Sequence, residues 1–320
     1  MSNQSNVFGR AYEYICIETL NTEINKHRKS IIEDSSTYEI AKECWNIIDK
    51  ETKETFEQSA LTAVYSIFDL EPMITEKDDD CLVLKMQKDQ EGKIGDVRDI
   101  IIIRNEEKWE IGLSIKHNHF AVKHSRLGPK LDFGERWYGI KCSNDYWNDI
   151  APIFELINSK KEQGLKWSDL ENKDKDVYIP LLNAFMNEIK RNADKHPDLP
   201  KKLVEYLLGE FDFYKVISID NKKITQIQSY NLRGTLNKAS KKEKPKTIIP
   251  IAKLPTRIVN IGFKPESSNT IELYMDEGWQ FSFRIHNAST YVENSLKFDI
   301  QIVGMPASII FGCRQPAFSN

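Results

Sequence analysis

The sequence predicts an α+β protein. Apolar residues recur at helical intervals over the first seventy positions, short β-branched runs follow, and an alternating pattern dominates the last sixty. From Asn6 to Leu70, Phe8, Ala11, Tyr12, Ile15 and Leu20 share one helical stripe, and Ala41, Cys44, Trp45, Ile47 and Ile48 form another. Ala60 to Phe68 reads as a further helix, closed by Asp69-Leu70-Glu71-Pro72. Asp78, Asp79 and Asp80 read as a solvated acidic turn.

Cys81 to Met86 then reads as a strand. Asp99 to Arg104 carries four consecutive isoleucines, Ile100 to Ile103, a β-branched run too short for a typical helix. After the turn at Asn105-Glu106-Glu107, Trp109 to Ile115 returns with Ile111, Leu113 and Ile115 on one face and Glu110, Gly112, Ser114 and Lys116 on the other. Asp145 to Leu156 and Ile179 to Leu208 read as helices, the second broken near His196-Pro197. Asn237 to Lys246 is a lysine-rich exposed loop, and from Ile258 onward residues such as Phe281, Phe283 and Ile285 alternate as in strands. The expected organisation is a catalytic core over 1–235, a lysine-rich loop over 236–250 and a β-rich region over 251–320 that packs on the core and contacts its ligand.

Composition narrows the class. The 320 residues are 40% hydrophobic and 29% charged, ordinary for a globular chain. No run approaches the roughly 20 apolar residues of a membrane helix, and Met1 to Arg10 lacks a signal-peptide core. Cys16, Cys44, Cys81, Cys142 and Cys313 stand singly, without zinc spacing, as in a reducing cytoplasm. There is no Gly-rich phosphate loop, GxSxG elbow or HExxH helix. The net charge of −3 does not advertise nucleic-acid binding, although a basic groove can hide within a near-neutral total.

The chemistry gathers in Gly95-Asp96-Val97-Arg98-Asp99 and Ile111-Gly112-Leu113-Ser114-Ile115-Lys116. A carboxylate at the edge of one strand can hold a divalent metal, and a lysine on the next can reach the same phosphate. Glu110 lies six residues before Lys116, about 20 Å along an extended strand, and is a poor co-ligand. The run KHNHFAVKHSRLGPK after Ile115 holds Lys116, Lys123, Arg126, Lys130 and the histidines His117, His119 and His124 without an acid, which suits a DNA backbone. His117 and His119 share a face on a strand and could bind a metal, but no third ligand is apparent.

These motifs resemble the PD-(D/E)xK nuclease superfamily, which implies a mixed sheet flanked by helices as the core. Asp99 matches its first acid and Lys116 its lysine; Ser114 stands where the second acid belongs. Superfamily members with S-x-K recruit an acid from a nearby helix. On that resemblance Glu135 is the first candidate for the replacement, Asp96 a further metal-ligand candidate, and Glu13, in Gly9-Arg10-Ala11-Tyr12-Glu13, a candidate ligand or water-positioning residue. Together with WQFSFRIHNAS near the end, the whole chain is similar to the HaeIII family of type II restriction endonucleases. The resemblance implies magnesium-dependent double-strand cleavage at a palindromic GGCC, in a bacterial cytoplasm, with a methyltransferase as functional partner; a symmetric homodimer is the usual geometric solution for a palindrome, and a monomer making successive nicks is the alternative. Guanine-rich sites favour arginine and lysine readers. Arg126, Arg136, Arg233, Arg257 and Arg284 are candidates, while Lys123, Lys130, His117 and His119 are candidates for other DNA contacts. Two rivals remain open: a junction or repair nuclease on the same core, and a DNA-binding module whose nuclease site decayed at Ser114.

Overall fold

A computed structural model describes residues 2–88, 96–309 and 311–314. Gly95 of the acidic motif and the side chain of Cys313 lie outside the described residues. The chain forms two compact units that interleave in sequence. The first contains Met1–Phe120, Gly209–Ala252 and Ala307–Asn320; the second contains Ala121–Leu208 and Lys253–Pro306. The sequence expectation was three consecutive segments. Residues 121–208, expected with the catalytic core, cluster with 253–306, because the strand over 121–127 pairs with the strand over 296–304.

The first unit begins with helices α1 (Ser2–Ile24), α2 (Ser36–Ile47), α3 (Lys50–Leu70) and the short α4 (Pro72–Thr75), with strand β1 (Ser30–Ile32) between α1 and α2. Ser35 caps α2 and Asp49 caps α3, each side chain accepting a hydrogen bond from an otherwise unpaired N–H of the first turn. β2 (Leu82–Met86), β3 (Ile100–Arg104) and β4 (Trp109–His117) follow as an antiparallel meander.

β5 (Ala121–Leu127), α5 (Phe133–Tyr138), α6 (Asn144–Glu162), α7 (Ile179–Ala193) and α8 (Leu199–Leu208) belong to the second unit. The chain then returns as the hairpin β6 (Phe213–Ile219) and β7 (Ile224–Tyr230), a pair that the sequence reading did not anticipate. β8 (Ile258–Phe263), β9 (Thr270–Met275), β10 (Gln280–His286) and β11 (Leu296–Gly304) complete the second unit, and β12 (Phe311–Arg314) returns to the first.

The first unit's sheet runs β1-β2-β3-β4-β6-β7-β12, with β1/β2 and β4/β6 parallel and the other neighbours antiparallel. Ile100, Ile102, Ile111, Leu113, Ile115, Tyr214, Val216 and Ile227 line one face and bury against α1 and α3 through Tyr12, Ile17, Leu20, Phe56 and Ala60. The period of two sends Ile101, Ser114, Lys116 and Lys215 to the other face. A mixed sheet flanked by helices is the expected core, and it orients β4.

The acidic turn is solvated at Asp78 and Asp79, as the sequence suggests, but Asp80 is drawn inward and Asp78 also pairs with a buried arginine. Arg104 is fully buried at the end of β3, and its guanidinium binds Glu76, Asp78 and Asp80 at 3.0 Å each, while Arg28 also meets Asp80. Burying that cation requires carboxylates close by, and this segment supplies them. The expected helix from Ile179 to Leu208 is α7 and α8, parted at Pro197.

The second unit's sheet is antiparallel in the order β5-β11-β10-β9-β8. Its inner face carries an aromatic cluster: Trp137 of α5 stacks on Tyr206 of α8 and on Phe283 of β10, and Phe185 of α7 packs on Phe133, Phe283 and Phe298. Among the described residues no helix is long and apolar enough to cross a membrane.

Glu71, at the end of α3, is a buried acid remote from the Asp99 region in sequence. It accepts hydrogen bonds from Tyr214 Oη at 2.6 Å and the Asn237 amide at 2.5 Å, and burial pushes its pKa up to about 7. Folding therefore favours its protonated form. The associated stability is full below the ordinary carboxylate range, near 4.5, and is lost as pH rises to about 7. Urea titrations from pH 4.5 to 8 are expected to show Glu71→Gln losing less stability than the wild type, by up to about 3 kcal/mol. Parallel curves would refute a buried, titrating Glu71.

Candidate active site

Asp99 sits at the threshold of β3, where its amide donates to Leu113 O at 2.8 Å and joins it to β4. Its Oδ2 accepts from the Ile115 amide at 2.6 Å, from Lys116 Nζ at 2.8 Å and from Ser114 Oγ at 3.3 Å. Ser114 and Lys116 are two residues apart on one strand and face the same side, so both reach Asp99. Ser114 thus does not take the place of a second acid; its hydroxyl helps orient the first. Oδ1 of Asp99 accepts no hydrogen bond from the described residues.

Glu13 enters from α1, which packs across β4. It is buried, and Arg10 Nη1 donates to its Oε2 at 2.7 Å. Burial first, and then the charge of Asp99, push its pKa up to about 7, against the pull of Arg10 and Lys116. Lys116 shows the reverse balance. Burial disfavours its charge, but Asp99 and Glu13 outweigh burial and hold its pKa above the ordinary lysine value. The structure therefore brings Asp99, Glu13, Ser114 and Lys116 together.

Asp96 is not available to a metal. Oδ1 accepts from the Arg98 amide and Nε, and Oδ2 accepts from Arg98 Nη2 at 2.8 Å and Gln87 Nε2 at 2.5 Å. Its four acceptor positions are filled. Arg98 also binds Glu110 at 2.8 Å and lies over the Phe211 ring at 3.9 Å, so Glu110 is a structural partner. Glu135 lies in the second unit, on the first turn of α5; its side chain is half exposed and faces Lys141 at 4.0 Å.

The basic run divides. His117 Nε2 is 2.5 Å from Asp220 Oδ2, with Asn118 joining the pair, and its ring packs edge-on against Phe56. His117 is therefore held by partners within the fold. His119 lies between β4 and β5. Lys123 donates to Tyr206 O at 2.7 Å and sits over the Tyr206 ring, and burial pushes its pKa down to about 8, so it too is taken up internally. Lys130, Arg136 and Arg233 are exposed, and Arg126 and Arg284 project from β5 and β10.

Sequence reasoning missed Lys215. It stands on β6 directly across from Ser114 and donates to Phe120 O at 2.8 Å. Burial, reinforced by the charge of Lys116, pushes its pKa down to about 7. The signal was legible as one lysine within the apolar run FYKVISI.

The donors offered by Asp99 and Glu13 are all carboxylate oxygens, and the repulsion that burdens Glu13 is what a divalent cation relieves. The donor set fits a hard ion such as magnesium. An acid and a lysine on neighbouring strands, with an acid from the first helix, are the arrangement expected from the resemblance to PD-(D/E)xK nucleases. The HaeIII restriction endonuclease family profile matches residues 9–306, and the chain belongs to that family. It is similar to the type II restriction enzyme HaeIII of Haemophilus aegyptius, 53% identical over 311 residues, covering 97% of this chain and 98% of that protein. No solved structure matches the chain.

Gly112 lets Arg98 lie flat across β4: a Cβ there would stand 1.9 Å from Arg98 Cδ. Gly112→Ala is expected to eject Arg98 from its place between Asp96 and Glu110, lowering the urea midpoint and weakening cleavage at least tenfold. An alanine variant with wild-type stability and activity would show that Arg98 does not brace the hairpin.

Proposed function

We propose that this restriction endonuclease hydrolyses both strands of DNA at GGCC, using magnesium held by Asp99 and Glu13. The observation that carries the reading is the convergence of Asp99, Glu13 and Lys116, with Ser114 and the Ile115 amide fixing the Asp99 carboxylate. When bound, the ion polarises the scissile phosphate and acidifies the attacking water. Asp99 and Glu13 would hold it through their carboxylate oxygens.

Lys116 keeps its proton at neutral pH, because Asp99 and Glu13 stabilise its charge. It can donate to the phosphate oxygens as negative charge develops there, or help to orient the attacking water. Water's oxygen enters at phosphorus, one P–O ester bond breaks, and the departing oxygen takes a proton. Ser114 is accounted for as a donor to Asp99, so it calls for no decay of the site.

A palindromic target suits two copies related by a two-fold axis, each cutting one strand, and sedimentation of the protein with a GGCC duplex measures the stoichiometry. A cell that makes such an enzyme also needs a methyltransferase acting on the same site. Digestion of a plasmid of known sequence, with magnesium or chelator, tests the reading directly through mapped ends. An intact plasmid with folded protein and magnesium would overturn it.

Asp99→Ala is expected to lower cleavage at least a thousandfold while the protein still binds its duplex, since it removes a metal ligand and not a DNA contact. Near-normal cutting would sink the assignment. Glu13→Gln and Glu135→Gln separate the two candidate acids. Single-turnover cleavage should fall at least a hundredfold for Glu13→Gln and stay within about threefold for Glu135→Gln, each step of ten being about 1.4 kcal/mol of barrier. The opposite ranking would move the second acid to α5.

A further inference from the structure

The second unit's sheet has an outward face that the aromatic core does not use. The alternation that buries Phe281, Phe283 and Ile285 turns Ser282, Arg284 and His286 to the other side. Strand register then aligns side chains in rungs across β10, β11 and β5. One rung is His286, Lys297 and Arg126; the next is Arg284, Asp299 and His124.

The first rung is electrostatically unusual. Lys297 and Arg126 are direct cross-strand partners. Like charges in that position destabilise a sheet, and an anion laid across them reverses the sign. Arg126 is held at 2.7 Å by Ser295 Oγ and at 3.4 Å by Glu293, with its side chain 46% exposed, so its head can exchange partners. In the second rung Arg284 is 56% exposed and touches Asp299 Oδ2 at 3.3 Å. Oδ1 of Asp299 is buried without a hydrogen-bond partner, and His124 stands 3.9 Å from it.

We propose that this face meets the major groove of duplex DNA, with Lys297 and Arg126 against phosphates and Arg284, held from below by the buried Asp299, against a base edge. The chemistry of the rungs matches the ligand. Arginine pairs bidentately with guanine O6 and N7, and the Asp299 carboxylate beneath Arg284 can orient its guanidinium, so this rung suits a site containing guanine. The inference rests on the proposed function for the identity of the site, but the charge argument requires only a duplex.

The test uses full-length protein carrying Asp99→Ala, with duplexes bearing the site mapped by the wild-type digest or a single substituted base pair, across a salt series. Adding Arg284→Ala is expected to lower the preference for the cognate duplex tenfold to a hundredfold. Arg284→Lys, which keeps the charge but loses the fork, should lose most of the same preference with little change on substituted duplexes. Lys297→Ala should weaken binding to all duplexes alike and reduce the slope of log affinity against log salt by about 1. Lys202→Ala, on the solvent side of α8 and paired with Asp198, should change neither. Unaltered preference in both Arg284 variants, with an unaltered salt slope for Lys297→Ala, would overturn the proposal. A mapped site other than GGCC would correct the target while leaving this test in place. A wild type that cuts nothing would refute the nuclease reading, and the salt-slope comparison on any duplex would still decide the face.

Discussion

Asp99 Oδ2 receives hydrogen bonds from the backbone of Ile115 and from the side chains of Ser114 and Lys116, and the geometry of the candidate centre follows from that one oxygen. The contact requires β3 and β4 to pair in a single register, because a slip by one residue would turn Ser114 and Lys116 to the helix-packed face. The register is secured by what lies on either side. Ile100, Ile102, Leu113 and Ile115 bury against the helices, and Arg98 crosses Gly112 to tie Asp96 to Glu110.

Charge placement in the first unit follows one rule: buried ions are paired or surrounded by donors. Arg104 and Arg28 collect Glu76, Asp78 and Asp80, while Asp79 stays in solvent. Asp96 spends all its acceptor positions on Arg98 and Gln87. Glu13 departs from that pattern. It has Arg10, but burial and Asp99 keep its ionisation costly. A group left in that condition beside another carboxylate has the electrostatics of a cation site, whereas a satisfied ion pair such as Asp96–Arg98 does not.

Much of the candidate centre was legible in the sequence because its members are local or strand-periodic. The isoleucine run, the turn at Asn105 and the alternation from Trp109 to Ile115 identify a hairpin, and Asp99 and Lys116 fall at its edge. Glu13 was legible only through resemblance, since nothing in the local pattern says what its helix packs against. Asp96 and Asp99 could not be told apart by spacing. Only the fold shows that Arg98 folds back on Asp96 and leaves Asp99 to the neighbouring strand. Lys215 escaped notice because its importance comes from a parallel pairing between residues about a hundred positions apart.

By itself the sequence determined the α+β class, the β3–β4 hairpin, the break at Pro197 and, through its motifs, the family. These rest on periodicity, on backbone constraints and on contiguous residues, all short-range properties. The tertiary structure decided the rest: that 121–208 clusters with 253–306, that β6 slots beside β4, which of the two aspartates is taken up, and that Lys123 and His117 are consumed by internal partners. Those outcomes depend on which distant groups become neighbours when apolar faces are buried. Patterning along the chain specifies which faces those are, but not which partners they meet.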